Sequence, residues 1–435
     1  MQNRKNSVCV IGLWHLGSVT ASCLASLEVE TTAFDFNQNL INNFHDLILP
    51  IDEPGLLTFI KKGVESKNLK FTSDLEDIKN HKYYWITYDT PVDYNDQADV
   101  NYVLDNICNL NNYLPNDAIV LISSQVPIGT CEKIIKIFQD KYSKKLNIFC
   151  IPENLRLGKS IEIFLNPDRV VIGHDDDLKK SEVKYLMDKI TNNQIWISNK
   201  SAEMAKHSIN SFLATSVVFA NEMASICEQV GANADEVSLA LKSEQRIGKY
   251  AYLSAGGPFA GGTLARDVVF LNKISEEKEI STPLISSIIK SNKNHKEWAL
   301  RLIKKDFKNQ KKLNIIILGL SYKSGTNTLR RSHSLEIASF LTDLSEKIYL
   351  YDPKIHKVEN KLPKNIFLKN QLFSLDDIDI IISTRFWGNQ VEEIMNIIKT
   401  NKKSIFIYDI NRNLFKNIKE FQKLNCAYRT IGFSP

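Results

Sequence analysis

The sequence predicts an α/β protein with two doubly wound domains, each a parallel sheet between helices. A central helical region with one long helix joins them. Three observations predict this. Short β-branched apolar runs alternate with segments of helical length through the first half of the chain, the pattern of a parallel sheet covered on both faces. Residues 201–230 then carry apolar side chains at helical spacing, with no proline. After Leu313 the opening pattern returns, a weak internal repeat.

The elements follow in order. Residues 8–11 (Val-Cys-Val-Ile) form a candidate strand that runs into Gly12. Residues 31–35, 83–87, 118–122 and 148–151 are the next strands, each rich in β-branched or aromatic side chains. In the long helix Ala202, Ala205, Ile209, Phe212, Val217, Phe219, Met223 and Ile226 recur on a helical period, and Gly231 is its stop. Further helix runs on to Leu241, and the region stays helical up to Gly256-Gly257. Residues 290–312 are rich in lysine with Trp298, Leu300, Leu302 and Ile303 interspersed. They read as an amphipathic linker helix with a solvated basic face; the alternative is a phosphate- or nucleic-acid-binding patch. Residues 313–318 then run into Gly319-Leu320 as residues 8–11 ran into Gly12-Leu13, and residues 347–352 end in Asp352 as the second strand ends in Asp35. Two more strands are expected at residues 378–383 and 405–408. The division is residues 1–200, 201–310 and 311–435.

Composition agrees and excludes other classes. The 435 residues allow two or three domains at ~150 residues each. Apolar residues make up 43% and charged residues 24%, which rules out collagen-like, disordered and disulfide-stapled chains. With 55 basic and 50 acidic side chains the net charge is +5, too mild to imply a nucleic-acid partner. The seven cysteines are odd in number, scattered and without a C-x-x-C pair. That argues for reduced thiols in a cytoplasmic protein, and against a zinc site or a disulfide framework. Arg4 and Lys5 ahead of residues 8–27 outline a signal peptide, but His15, Ser18 and Thr20 interrupt its apolar core. A strand, a glycine turn and a helix are expected there instead. No uninterrupted apolar run reaches ~18 residues, so no membrane span is expected.

The glycine turn carries the first chemistry. Gly12-Leu13-Trp14-His15-Leu16-Gly17 has the outline of G-x-G-x-x-G, with Trp14 in place of the middle glycine. Such a turn cradles a pyrophosphate on the backbone N–H groups and the dipole of the following helix. Asp35, at the end of the second strand, is placed to bind an adenosine ribose and disfavours a 2′-phosphate, so NAD is preferred over NADP. Alone, the segment also fits an ordinary α/β turn with a surface aspartate.

Further segments widen the match. They are Glu53-Pro54-Gly55, Asp89-Thr90-Pro91, Ser124-Gln125-Val126-Pro127-Ile128-Gly129-Thr130, Pro152-Glu153-Asn154-Leu155-Arg156-Leu157-Gly158, residues 166–173 (Asn-Pro-Asp-Arg-Val-Val-Ile-Gly), Ala202-Glu203-Met204-Ala205-Lys206 with Asn210, and residues 319–332. In this order, from Val8 to about Asn413, they resemble the motifs of the UDP-glucose/GDP-mannose dehydrogenase family of nucleotide-sugar 6-dehydrogenases. The resemblance implies two Rossmann-like domains. The first binds NAD through Gly12, Trp14, His15, Leu16, Gly17, Asp35, Thr90, Pro91 and Thr130. The C-terminal one holds the nucleotide of a nucleotide-sugar substrate, and the central helix forms a homodimer. Lys206 and Asn210 match the pair that stabilises negative charge at the reacting carbon, and their spacing puts both on one helix face. Glu153 and Thr130 match a carboxylate and a hydroxyl near that carbon, and Asp267 an aspartate of the acid-base arrangement. Leu155, Arg156, Arg246, Gly261, Gly262, Lys323 and Arg330 match positions around the substrate. Without the resemblance, each charge reads as an ordinary surface residue.

One departure bears on the reaction. The family's nucleophile lies in G-G-S-C-F-P-K-D, whereas this chain has Gly261-Gly262-Thr263-Leu264-Ala265-Arg266-Asp267 and no thiol. That cysteine gives the family its double oxidation, by capturing the aldehyde for a second hydride transfer. Its absence leads to the expectation of a single two-electron step. Full oxidation by a cysteine-independent route and a non-catalytic binding protein are the alternatives, and Cys131 beside Thr130 is a third, as a substitute thiol.

Overall fold

The computed structural model describes residues 5–93, 98–153, 155–260, 263–308, 310, 312–321, 329, 331–358, 361–372, 377–424 and 426–433. The chain divides into two compact units, Met1–Ile209 and Asn210–Pro435.

The first unit is built on eight strands: β1 Lys5–Ile11, β2 Thr31–Phe34, β3 Leu69–Thr72, β4 His81–Ile86, β5 Ala118–Ile122, β6 Leu146–Cys150, β7 Val170–Gly173 and β8 Gln194–Ile197. They lie in the order β3-β2-β1-β4-β5-β6-β7-β8. The first six are parallel; β7 runs against β6 and carries β8 parallel to itself. The strands read as unbroken apolar runs because both faces are covered. Val8, Val10, Trp85 and Leu121 pack on one side with Leu24 and Ile60. Cys9, Ile11, Tyr84 and Val120, the alternate positions, pack on the other with Ile107 and Phe138. Strand order reverses between β1 and β4, and the crevice at the carboxyl ends of such strands is where α/β sheets bind ligands.

The long helix Asn199–Val230 begins in the first unit and ends in the second. It starts two residues earlier than the periodicity predicts, because Asn199 is built into the sheet: its side chain accepts from the Cys150 N–H at 2.9 Å and donates to the Ile148 carbonyl at 3.1 Å. Gly231, at φ +74°, ends it, and the next helix is Ala234–Ser243.

The second unit adds the helices Thr263–Glu277, Pro283–Lys296 and Trp298–Asp306. The single linker helix expected over residues 290–312 is thus two helices that meet at Glu297. Ile288, His295, Trp298 and Ile303 are buried while Lys290, Lys293, Lys304 and Lys305 are exposed, as an amphipathic pair with a solvated face requires. Six strands follow: β9 Leu313–Leu318, β10 Ser345–Tyr351, β11 Ile366–Leu368, β12 Ile380–Ser383, β13 Phe406–Asp409 and β14 Ala427–Thr430. All are parallel, in the order β11-β10-β9-β12-β13-β14. That is the order of β1–β6 strand for strand, so the weak sequence repeat marks a structural one.

The repeat extends to hydrogen bonds. The Gly12 N–H donates to the Phe34 carbonyl at 3.0 Å, and the Gly319 N–H to the Tyr351 carbonyl at 2.8 Å. Leu13 N–H donates to Asp35 Oδ2 and Leu320 N–H to Asp352 Oδ2, both at 2.8 Å. A threonine hydroxyl, Thr87 or Thr384, donates to the carbonyl of each glycine.

Candidate active site

The candidate cofactor cradle is the turn between β1 and the helix His15–Ser26. Gly12 has φ +97° and a Cβ on it would stand 2.6 Å from the Tyr88 ring, so only glycine turns the chain here. A Cβ on Gly17 would stand 1.8 Å from the Gly12 carbonyl oxygen; glycine lets helix and strand touch. Trp14, at φ −80° and 49% exposed, turns its ring outward from a backbone that needs no glycine. The first turn of the helix, with half-buried His15 and Leu16, leaves N–H groups without partners inside the helix. Asp35 is half-buried, with Oδ2 on the Leu13 N–H and Oδ1 on the Asn37 N–H at 2.9 Å. Donor groups at a helix start and a carboxylate at the second strand's end fit a dinucleotide.

A cleft in the same unit is lined by Ser124, Cys150, Glu153, Glu203 and Lys206 among others. The structure thus brings the predicted Glu153 and Lys206 together. Thr130 opens the helix Thr130–Tyr142 behind Gly129, itself at φ +88°; the Thr130 hydroxyl donates to the Pro127 carbonyl at 2.6 Å. Thr90 donates to the Gln125 carbonyl at 2.6 Å, which ties it to the same loop, and the exposed Pro91 follows it.

Two residues to which the sequence reading gives no role hold this loop. Glu203, 3% exposed, accepts the N–H groups of Gly129 at 2.5 Å and Cys131 at 2.8 Å. His207, fully buried, stands with Nε2 3.0 Å from the Val126 carbonyl. A carbonyl only accepts, so that nitrogen carries the hydrogen. Burial raises the Glu203 carboxyl above its ordinary value, against the hydrogen bonds from Cys131 and Gly129 that lower it. The long helix therefore grips both ends of the Thr130 loop one turn from Lys206. The signal was present: Glu203, Lys206 and Asn210 share one helical face, and a carboxylate there demands buried partners.

In the second unit Asn210 donates its amide to Asp267 Oδ2, and Asp267 is fully buried in the helix Thr263–Glu277. Leu155 is half-buried and Arg156 exposed in the first unit. Arg246 is exposed and paired with its neighbour Glu244 at 2.9 Å. Gly261, Gly262, Lys323 and Arg330 lie outside the described residues.

The matches to known proteins run the length of the chain. The UDP-glucose/GDP-mannose dehydrogenase family's NAD-binding domain matches residues 6–191, its central domain residues 200–294 and its UDP-binding domain residues 316–417. The UDP-glucose 6-dehydrogenase of Rickettsia bellii is 31% identical over 98% of this chain and 99% of its own. This chain belongs to that family. Its class of activity is NAD-dependent oxidation of a nucleotide sugar, and its cofactor is NAD. Among solved structures, the UDP-glucose dehydrogenase of Pyrobaculum islandicum superposes with a TM-score of 0.85 at 22% identity, covering 100% of this chain and 99% of that one. The UDP-D-ManNAc dehydrogenase of Pyrococcus horikoshii gives 0.84 at 22% identity, over 98% and 99%. At that identity the superpositions establish the fold.

For this family member the thiols are informative. All seven cysteines are unpaired, and only Cys108 is more than slightly exposed. Cys131 is fully buried, and the neighbouring Cys150 thiol together with burial pushes its thiol well above its ordinary value. A thiol that does not ionise is a poor nucleophile, which disfavours Cys131 as a substitute. Among the described residues no helix is long and apolar enough to cross a membrane.

Proposed function

We propose that this protein oxidises a UDP-linked sugar at an alcohol carbon in a single two-electron step. The observation that carries this reading is the pairing of Glu153 and Lys206 in one cleft of a dinucleotide-binding unit, in a chain without a thiol at residues 261–267. The UDP part rests on the match of residues 316–417 to the family's UDP-binding domain. NAD, when bound, supplies the hydride acceptor; Gly12, Trp14, His15, Leu16, Gly17, Asp35, Thr90, Pro91 and Thr130 would hold it. The Lys206 ammonium and, one turn on, the Asn210 amide stabilise the alkoxide as the alcohol proton leaves. Asp267, hydrogen-bonded to Asn210, supports the acid-base step, and Glu153 shapes the electrostatics of the cleft. Leu155, Arg156, Arg246, Gly261, Gly262, Lys323 and Arg330 are assigned to the substrate.

Without a nucleophile the aldehyde has no covalent route to a second oxidation. One equivalent of NADH per sugar is expected, with the aldehyde or its hydrate as product by mass. Two equivalents would establish four-electron oxidation with water as the attacking group and sink the single step. Binding of NAD and UDP-sugar by calorimetry with no NADH formed would establish a non-catalytic protein.

The assembly proposed is a homodimer through the long helix. Phe212, Phe219, Ile226 and Val230 are 72, 43, 53 and 70% exposed and recur at spacings that form one helical stripe. Such a stripe of large apolar groups marks an interface. Wild-type protein should sediment as a dimer, and the double variant Phe212→Glu, Phe219→Glu as a folded monomer. A monomeric wild type contradicts the reading.

A further inference from the structure

The buried carboxylate of Glu53 is used by none of the chemistry above, yet it ties together three separate segments. Glu53 is 4% exposed. Its Oε2 accepts from the Gly158 N–H at 2.8 Å and from the Ser160 hydroxyl at 3.2 Å, and its Oε1 from the Ser160 N–H at 2.9 Å. Its Oε2 also lies 3.0 Å from His15 Nε2. An ionised carboxylate only accepts, so His15 donates through Nε2. Burial alone would raise the Glu53 carboxyl; the N–H groups of Gly158 and Ser160 and the His15 ring outweigh it and hold the group below its ordinary value. The charge is therefore fixed in place. The Ser160 oxygen is also 2.9 Å from His15 Nε2 and 2.9 Å from the Arg156 carbonyl.

These contacts join the two halves of the binding apparatus. His15 is the first residue of the helix that starts at the cofactor turn. Arg156 and Gly158 belong to the segment assigned above to the substrate. We propose that Glu53, through His15 and Ser160, is a positioning residue that couples the cofactor turn to the substrate segment, so that NAD(H) and nucleotide sugar bind cooperatively. The coupling rests on the reading of the glycine turn and residues 152–158 given under the proposed function. Its physical basis is that both segments share one set of hydrogen bonds: ordering either by a ligand spends the entropy that the other ligand would otherwise have to lose. Breaking the His15 contact leaves Glu53 on Gly158 and Ser160 but disconnects the turn.

NADH, which cannot accept the hydride, is titrated into full-length protein with and without saturating UDP-glucose, and the ratio of the two dissociation constants is the readout. In the wild type UDP-glucose should tighten NADH binding roughly 5–150-fold. In His15→Ala the ratio should fall to within about twofold of one, because the hydrogen bonds from the cofactor turn to Glu53 and Ser160 run through the His15 ring. His15→Gln, whose amide can still donate to Glu53, should restore part of it; a merely structural loss would lower both affinities without changing the ratio. Circular dichroism confirms that each variant is folded. A wild-type ratio of one with both ligands bound, or an unchanged ratio in His15→Ala, overturns the coupling. Failure of the wild type to bind either ligand alone overturns the functional reading, and the coupling with it.

Discussion

Lys206→Ala is expected to lower kcat by about 10²–10³-fold, the loss typical of one preorganised donor to a developing oxyanion, or about 3–4 kcal/mol of transition-state stabilisation. Lys206 is half-buried on the long helix and lines the cleft with Glu153 and Glu203. There a positive charge acts with less screening than it would in water. The cofactor turn belongs to other elements, so the KM for NAD should stay within a few-fold while kcat falls. Lys206→Arg should not rescue, since a planar guanidinium cannot occupy the site of a compact ammonium. The melting temperature should move little, because the side chain removed is partly exposed. A variant that keeps more than a tenth of wild-type kcat removes Lys206 from the chemistry.

The contrast between Lys206 and its neighbours shows which information a sequence holds. Lys206 and Asn210 could be placed on one face from their spacing alone, but the Asn210 partner Asp267 lies 57 positions away, beyond any helical period. Glu203 and His207 were visible as helix residues, and only the folded loop of residues 126–131 reveals what they hold. The same division applies to the strands. Residues 118–122 are a strand with those bounds, because five consecutive apolar residues can only be buried on both faces. The sequence reading has no β3, β11 or β14: each lies at the edge of its sheet and is three or four residues long, β3 and β14 mix polar with apolar positions, and β11 is too short to show a period. Edge strands owe their pairing to the neighbouring backbone more than to their own side chains. β7 and β8 follow the reversal of direction between β6 and β7, which no periodicity encodes. The lysine-rich stretch was read correctly in its faces and wrongly in its continuity, since the break at Glu297 involves neither proline nor glycine.

Gly17→Ala is expected to have the second large effect, on cofactor binding and on stability together. The new Cβ would stand 1.8 Å from the Gly12 carbonyl oxygen, 2.9 Å from its carbon and 2.7 Å from the Thr87 hydroxyl. The first two are backbone atoms of a turn that Gly12 fixes at φ +97°. The hydroxyl is committed to the Ile11 and Gly12 carbonyls at 3.0 and 2.8 Å. None can yield cheaply, so the helix His15–Ser26 must move. Overpacking of this kind costs about 1–3 kcal/mol or more, and each kcal/mol lowers the melting temperature by about 2–4 °C in a unit the length of Met1–Ile209. The same movement displaces the N–H groups proposed to hold the pyrophosphate, so the KM for NAD should rise at least tenfold, about 1.4 kcal/mol. Gly388→Ala, where a Cβ meets nothing within 4 Å, is the control and should change neither quantity. Unaltered NAD affinity in Gly17→Ala would mean that the helix start does not carry the cofactor. The same geometry explains the one departure in the turn. The glycine that the motif has lost is Trp14, where φ is −80°, while both glycines it has kept stand where a Cβ would strike backbone or ring. Steric need at Gly12 and Gly17, rather than fidelity to the G-x-G-x-x-G pattern, is what the cradle requires.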